Sequence, residues 1–196
     1  MRDVASSPPE TVAIGERDHL VQFRLGDAGT CEAAFEALFR LHQRAVRGWI
    51  LRMVRDAGVA DELTVETFWR IYRARERFDP ERGFEPWARR IATRAALDWL
   101  RAQKPEYAVA SEFFTSLPAG TGSDPAISEE IRRKTALAFG RLRPALRVAA
   151  TLAVVEERPH KEVAEALGIS VTAVKLRVFR ALRVLRKDLQ QQGITP

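Results

Sequence analysis

The residues best suited to chemistry in this 196-residue chain lie towards its C-terminus, in the segment HKEVAEALGISVTAVKLRVFRALRVL that begins at His160. Small Ala164 stands where two helices must approach closely. Gly168 can take the left-handed backbone that ends one helix, and Ser170 can cap the next. Together these form a helix-turn-helix pattern. On the second helix Val171, Val174, Val178, Leu182 and Leu185 are expected to be buried, leaving Thr172, Lys175, Leu176, Phe179, Arg180 and Arg183 outside. In such motifs that helix enters the major groove, with its N-terminal half reaching base edges. Thr172, Lys175 and Leu176 are the candidate base readers, and Arg177, Arg180 and Arg183 the phosphate contacts, with Phe179 on the same outward face. Pro159, His160 and Lys161 open the first helix, whose free N–H groups offer a further place for a phosphate.

A second constellation sits near the middle of the chain, where Phe84, Trp87 and Trp99 alternate with Arg89, Arg90, Arg94 and Arg101. Aromatic faces for unstacked bases and guanidiniums for the backbone suit a single nucleic-acid strand. The structural alternative is that Trp87 and Trp99 are core side chains and that Asp98 merely pairs with Arg94 or Arg101 along a helix. Enzyme chemistry has little support. His19, His42 and His160 are scattered, no HExxH or GxxxxGK[ST] pattern occurs, and Gly120 and Gly122 lack a phosphate-binding lysine. Cys31, the single cysteine, can form no internal disulfide and lacks a second soft ligand for zinc, so no metal or cofactor is expected.

Charge agrees with a polyanionic partner. The formal net charge is +6, but residues 131–190 carry 14 basic and 5 acidic side chains, a net of +9 in one short block. Residues 1–30 have a net of −2 (3 basic, 5 acidic) and residues 102–130 a net of −4 (1 basic, 5 acidic).

The elements that must position these residues follow from apolar spacing. Phe35, Leu38, Phe39, Val46, Trp49, Ile50 and Met53 recur at three- and four-residue steps and predict a long amphipathic helix to about Arg55. After a break at Arg55-Asp56-Ala57-Gly58, helical spacing resumes from Ala60 to Arg77. Phe78-Asp79-Pro80-Glu81-Arg82-Gly83 reads as a turn, and a third helix is predicted from Pro86 to about Arg101. Residues 105–130, with Pro105, Pro118, Gly120, Gly122 and Pro125, read as a linker. Helical patterning returns from about Ser128, again from Pro144 to Glu156, and in the two helices of the motif. No stretch alternates with period two. The fold expected is all-α, in two small helical domains: residues 31–104 and 131–190, with 1–30 an N-terminal extension and 191–196 a tail. No apolar run approaches the roughly 20 residues of a membrane span, and the N-terminus is unlike a secretory signal, so a cytoplasmic location is expected.

Several motifs in order carry a family resemblance. Ala60-Asp61-Glu62-Leu63 with Glu66-Thr67-Phe68, then Phe78 to Phe84 and Trp87, then Ile91-Ala92 and Asp98 to Arg101, resemble region 2 of bacterial sigma factors of the extracytoplasmic-function group. Leu142-Arg143-Pro144, Glu162-Val163-Ala164 through Gly168, and Val174-Lys175 to Arg180-Ala181 resemble region 4 of the same group. The resemblance implies a dissociable subunit that binds core RNA polymerase, reads the minus-ten and minus-thirty-five elements of promoter DNA and helps melt it. It places Asp61, Glu62, Glu66 and Arg70 against the clamp helices of the largest polymerase subunit, with Leu63 and Phe68 holding the helix in place. It places capture of a flipped base at the Asp79 to Phe84 loop, and it implies an anti-sigma factor as a further partner. The chain departs from the family pattern at Val65 (usually Gln), Arg94 (often Asn), Thr172-Ala173 (usually Gly-Thr) and Leu176 (frequently Ser). An apolar Leu176 suits a thymine methyl where a hydroxyl would hydrogen-bond. The competing readings are a polymerase-independent helix-turn-helix regulator, dimeric on a palindromic site, and a sigma-like decoy that binds an anti-sigma factor alone.

Overall fold

The computed structural model describes residues 11–103 and 125–194, so the expected linker lies outside the described residues as far as residue 124. The described residues are helical and contain no strand. Helix α2 (Ala28–Val54) carries the predicted apolar spacing inward. Its N-cap, Asp27, accepts a hydrogen bond from the Thr30 N–H at 2.8 Å. It ends at Arg55, whose φ of 64° is left-handed. Asp56 then accepts from the Val59 N–H at 2.9 Å and starts α3 (Ala57–Arg73), so two adjacent residues end one helix and begin the next. The end of the helix predicted to Arg77 is instead a short 3₁₀ turn, Arg75–Arg77, and a second, Pro80–Arg82, lies in the predicted loop. Gly83, at φ 72°, then leads into α4 (Phe84–Ala102). Pro86 lies in the first turn of α4, as expected, although the helix opens two residues earlier.

The N-terminal extension supplies a helix that apolar spacing did not reveal. Helix α1 (Thr11–Leu25) packs along α2, burying Leu20 and Phe23. The Phe23 ring stacks on Phe35 at 5.8 Å. The trio of helices expected in the first domain is therefore a group of four.

In the second domain α5 (Pro125–Arg141) opens within the expected linker range. Its Pro125, read as a loop residue in sequence, sits at the first position of the helix. Helix α6 (Pro144–Ala150) continues into a π turn at Thr151–Val155, with the Glu156 N–H donating to the Thr151 carbonyl at 2.9 Å. Helix α7 (His160–Leu167) ends at Gly168 (φ 65°). Ser170 then caps α8 (Val171–Gln191), its hydroxyl accepting from the Ala173 N–H at 3.2 Å. The turn chemistry of the motif is as predicted, but the buried stripe of α8 is Val174, Val178, Ala181 and Leu185. Val171 and Leu182 are 37% and 44% exposed. At 3.6 residues per turn the four-three-four spacing of the observed set holds one face, and small Ala181 takes the close-packed place assigned to Leu182.

The main hydrophobic core crosses the domain boundary. Side chains of α1 to α4, such as Phe23, Ile50, Phe68 and Ala92, form one cluster with Val148, Leu152, Val163 and Val174. A smaller cluster of Phe139, Leu142, Ala181 and Leu185 belongs to the second domain alone. The two domains therefore lie packed on each other.

Candidate nucleic-acid interface

Helix α8 buries one stripe against α6 and α7 and presents the other side. Thr172, Lys175, Arg180 and Arg183 are exposed, Leu176 and Phe179 are 45% and 65% exposed, and Arg177 is half-buried. Lys175, Arg177, Arg180 and Arg183 form no ion pair among the described residues. Three of these arginines join Arg143, Leu146 and Lys187 in a cleft between α6 and α8 whose charged lining is entirely cationic. Such a surface favours an anion. Lys161 is exposed and His160 half-buried at the start of α7, on the same motif.

The first domain divides its predicted set. Arg90 and Arg94 are exposed along α4, and Arg101 lies 3.9 Å from Asp98. Asp98 is also 3.5 Å from Arg70, so its partners are Arg70 and Arg101, and Arg94 is not among them. Trp87 and Trp99 are half-buried against the core. Two candidates are corrected by burial. Phe84 is enclosed by Phe68, Phe78, Trp87 and His42, leaving its ring no open face for a base. Arg89 is also buried. Its guanidinium donates to Glu156 at 2.5 Å and Glu85 at 2.8 Å, and lies over the Trp49 ring at 3.9 Å. The inward arc of α4 through Ala88 and Ala92 is wide enough to take in Arg89, which only a buried acid can accommodate there.

On α3, Asp61 and Glu62 are exposed and Phe68 is buried, with Leu63 half-buried beside it. The Arg47 guanidinium donates to Asp61 at 2.5 Å, and that hydrogen bond holds the carboxyl below its usual range. Glu66 accepts from Arg70 at 2.8 Å. The same helix exposes Val65 and Trp69, and Trp69 stacks on Tyr72 at 6.1 Å. Sequence reasoning missed Trp69. Its signal was available, because Val65 and Trp69 are four residues apart and off the stripe through Thr64, Thr67, Phe68 and Ile71.

Comparison with known proteins agrees with this layout. Residues 38–106 match the family model of sigma-70 region 2, and residues 132–185 that of sigma-70 region 4. The chain is 38% identical over 156 residues to RNA polymerase sigma factor CarQ of Myxococcus xanthus, covering 80% of this chain and 89% of CarQ. It is 28% identical to the extracytoplasmic-function sigma factor SigM of Bacillus subtilis, covering 81% and 96%. Its fold is similar to CnrH, solved in complex with the cytosolic domain of CnrY, with a TM-score of 0.60, 24% identity and coverage of 90% and 97%. It is also similar to RpoE of Bartonella quintana, solved with the anti-sigma factor NepR, with a TM-score of 0.55, 19% identity and coverage of 80% and 96%.

Proposed function

The chain belongs to the sigma-70 family of RNA polymerase sigma factors, in its extracytoplasmic-function group, and from that premise we propose how its surfaces divide the work of initiation. It binds core RNA polymerase and directs it to specific promoters. The minus-thirty-five element is read by α8, with Thr172, Lys175 and Leu176 towards base edges, Phe179 on the same face, and Arg177, Arg180 and Arg183 on phosphates. The minus-ten strand is received by α4 and the loop before it, through Arg90, Arg94 and Arg101, with Phe84 shaping the loop from within. Core polymerase docks on α3 through Asp61, Glu62 and the Glu66–Arg70 pair, to which we add the exposed Val65 and Trp69. A desolvated Trp contributes more to an interface than the surrounding charges.

The observation that carries this division is the unpaired cationic face of α8, which is open while the rest of its helix is packed. A protein partner that holds the factor inactive, as NepR accompanies RpoE, completes the proposal, together with a cytoplasmic location. Among the described residues no helix is long and apolar enough to cross a membrane.

The test is reconstitution. Purified protein with core polymerase should produce run-off transcripts from a restricted set of genomic fragments, and Lys175→Glu with Arg180→Glu should abolish them. Silence on every fragment, or full activity of the double variant, defeats the proposal.

A further inference from the structure

Glu156 is a carboxylate buried between the two domains. Its side chain is 5% exposed, and it bridges Arg52 of α2 at 3.0 Å and Arg89 of α4 at 2.5 Å. Arg89 is itself 7% exposed. The backbone that delivers Glu156 is irregular on both sides. The π turn Thr151–Val155 immediately precedes it, and Glu157 follows at φ 51°, a left-handed conformation costly for a side chain with a Cβ. Around this centre Arg158 reaches Glu85 at 3.2 Å, and Arg55 donates to the Ala136 carbonyl at 2.5 Å while lying over Phe139. Each of these contacts joins the first domain to the second.

The packed arrangement is incompatible with reading two promoter elements. Sites at minus ten and minus thirty-five are about 25 base pairs apart, which at about 3.4 Å per pair is of the order of 85 Å of duplex. Domains that share one core cannot reach both.

We propose that Glu156 is an internal latch that competes with promoter DNA for the cations of the first domain. It neutralises Arg52 and Arg89 across the domain boundary and holds the free protein closed until core polymerase parts the domains. This rests on the sigma-factor reading for what opening accomplishes, but the latch itself belongs to the free chain. Opening would release Arg89 and its Trp49 platform beside Arg90 and Arg94, joining the surface that takes the melted strand.

The experiment compares full-length wild type with Glu156→Gln and Arg52→Gln, which weaken the latch from opposite domains and leave every residue assigned to polymerase contact in place. Small-angle scattering of the free proteins reads closure, and titration with core polymerase reads its cost to binding. Wild type should be compact and both variants larger at unchanged helix content by circular dichroism. Their affinity for core should rise by roughly the increase in the open fraction, of the order of tenfold. Wild-type dimensions in both variants overturn the latch, as does expansion without a gain in affinity. If wild type fails to bind core at all, the sigma-factor reading falls, and the scattering arm still decides whether Glu156 holds the domains together.

Discussion

The Phe23 ring of α1 lies 6.4 Å from Phe78, tilted by 56°, and Phe78 in turn packs on Trp87 at 4.7 Å. A side chain from the N-terminal extension thus supports the loop proposed to receive the promoter strand.

Phe23→Ala removes a fully buried ring, and large-to-small changes of this kind destabilise by about 3–5 kcal/mol because the cavity collapses only in part. For a chain of this size that is a fall in Tm of roughly 10 °C. Thermal denaturation followed at 222 nm checks it, and a fall of only a degree or two would show that α1 is not integral to the domain. Transcription should suffer more than stability explains, because the loop loses its backing.

How far α1 and the latch were legible in sequence differs from how far the helix-turn-helix was. The motif could be read because its determinants are local: Gly168, Ser170 and the apolar stripe of α8 act within a few residues of one another. Helix α1 has a weak stripe, with Leu20 and Phe23 inward and Val21 and Leu25 exposed, so its helicity depends on the groove of α2 that it fills. Sequence spacing shows Arg89 only as one more cation beside Arg90 and Arg94, because its partner Glu156 stands 67 positions away. Periodicity cannot announce a pairing over that distance. The charge of Arg89 is legible in sequence, and its burial is not.

Gly168 ends α7 at φ 65°, and a Cβ there would lie 3.2 Å from Arg94 Nη2 of the other domain. The arginine tip can move, so the main cost of Gly168→Ala is the left-handed backbone, about 1–2 kcal/mol. Gly168→Asn should lose distinctly less, since asparagine tolerates that region. Chemical denaturation of the three proteins tests the order. An alanine variant as stable as wild type would mean that the turn relaxes out of the left-handed region.

Hydrogen bonding from Arg89, followed by the charges of Arg89 and Arg158, holds the Glu85 carboxyl below its unfolded value of 4.5. A depressed carboxyl stabilises the fold above the unfolded pKa, and that contribution disappears as pH falls through the folded value. Wild type should therefore exceed Glu85→Gln in Tm at pH 6, with the gap closing as pH is lowered below 4.5. A gap that is constant across this range would place the effect in packing and not in charge.

Specificity and affinity should separate on α8. Arg183 is exposed and forms no ion pair among the described residues, and the proposed function sets it on the phosphate backbone. Arg183→Ala should weaken binding of the holoenzyme about equally at every promoter and reduce the log–log salt slope by about 1, because one fewer counterion is released. Leu176 offers only an apolar surface, which discriminates by contact with a thymine methyl. Leu176→Ser should leave the salt slope unchanged but alter base preference at one position of the minus-thirty-five element, by about 1–3 kcal/mol. Binding selection from a randomised minus-thirty-five library, repeated at two salt concentrations, measures both quantities. If Leu176→Ser lowers affinity uniformly without changing preference, Leu176 packs against the backbone and base reading falls to Lys175 and its neighbours.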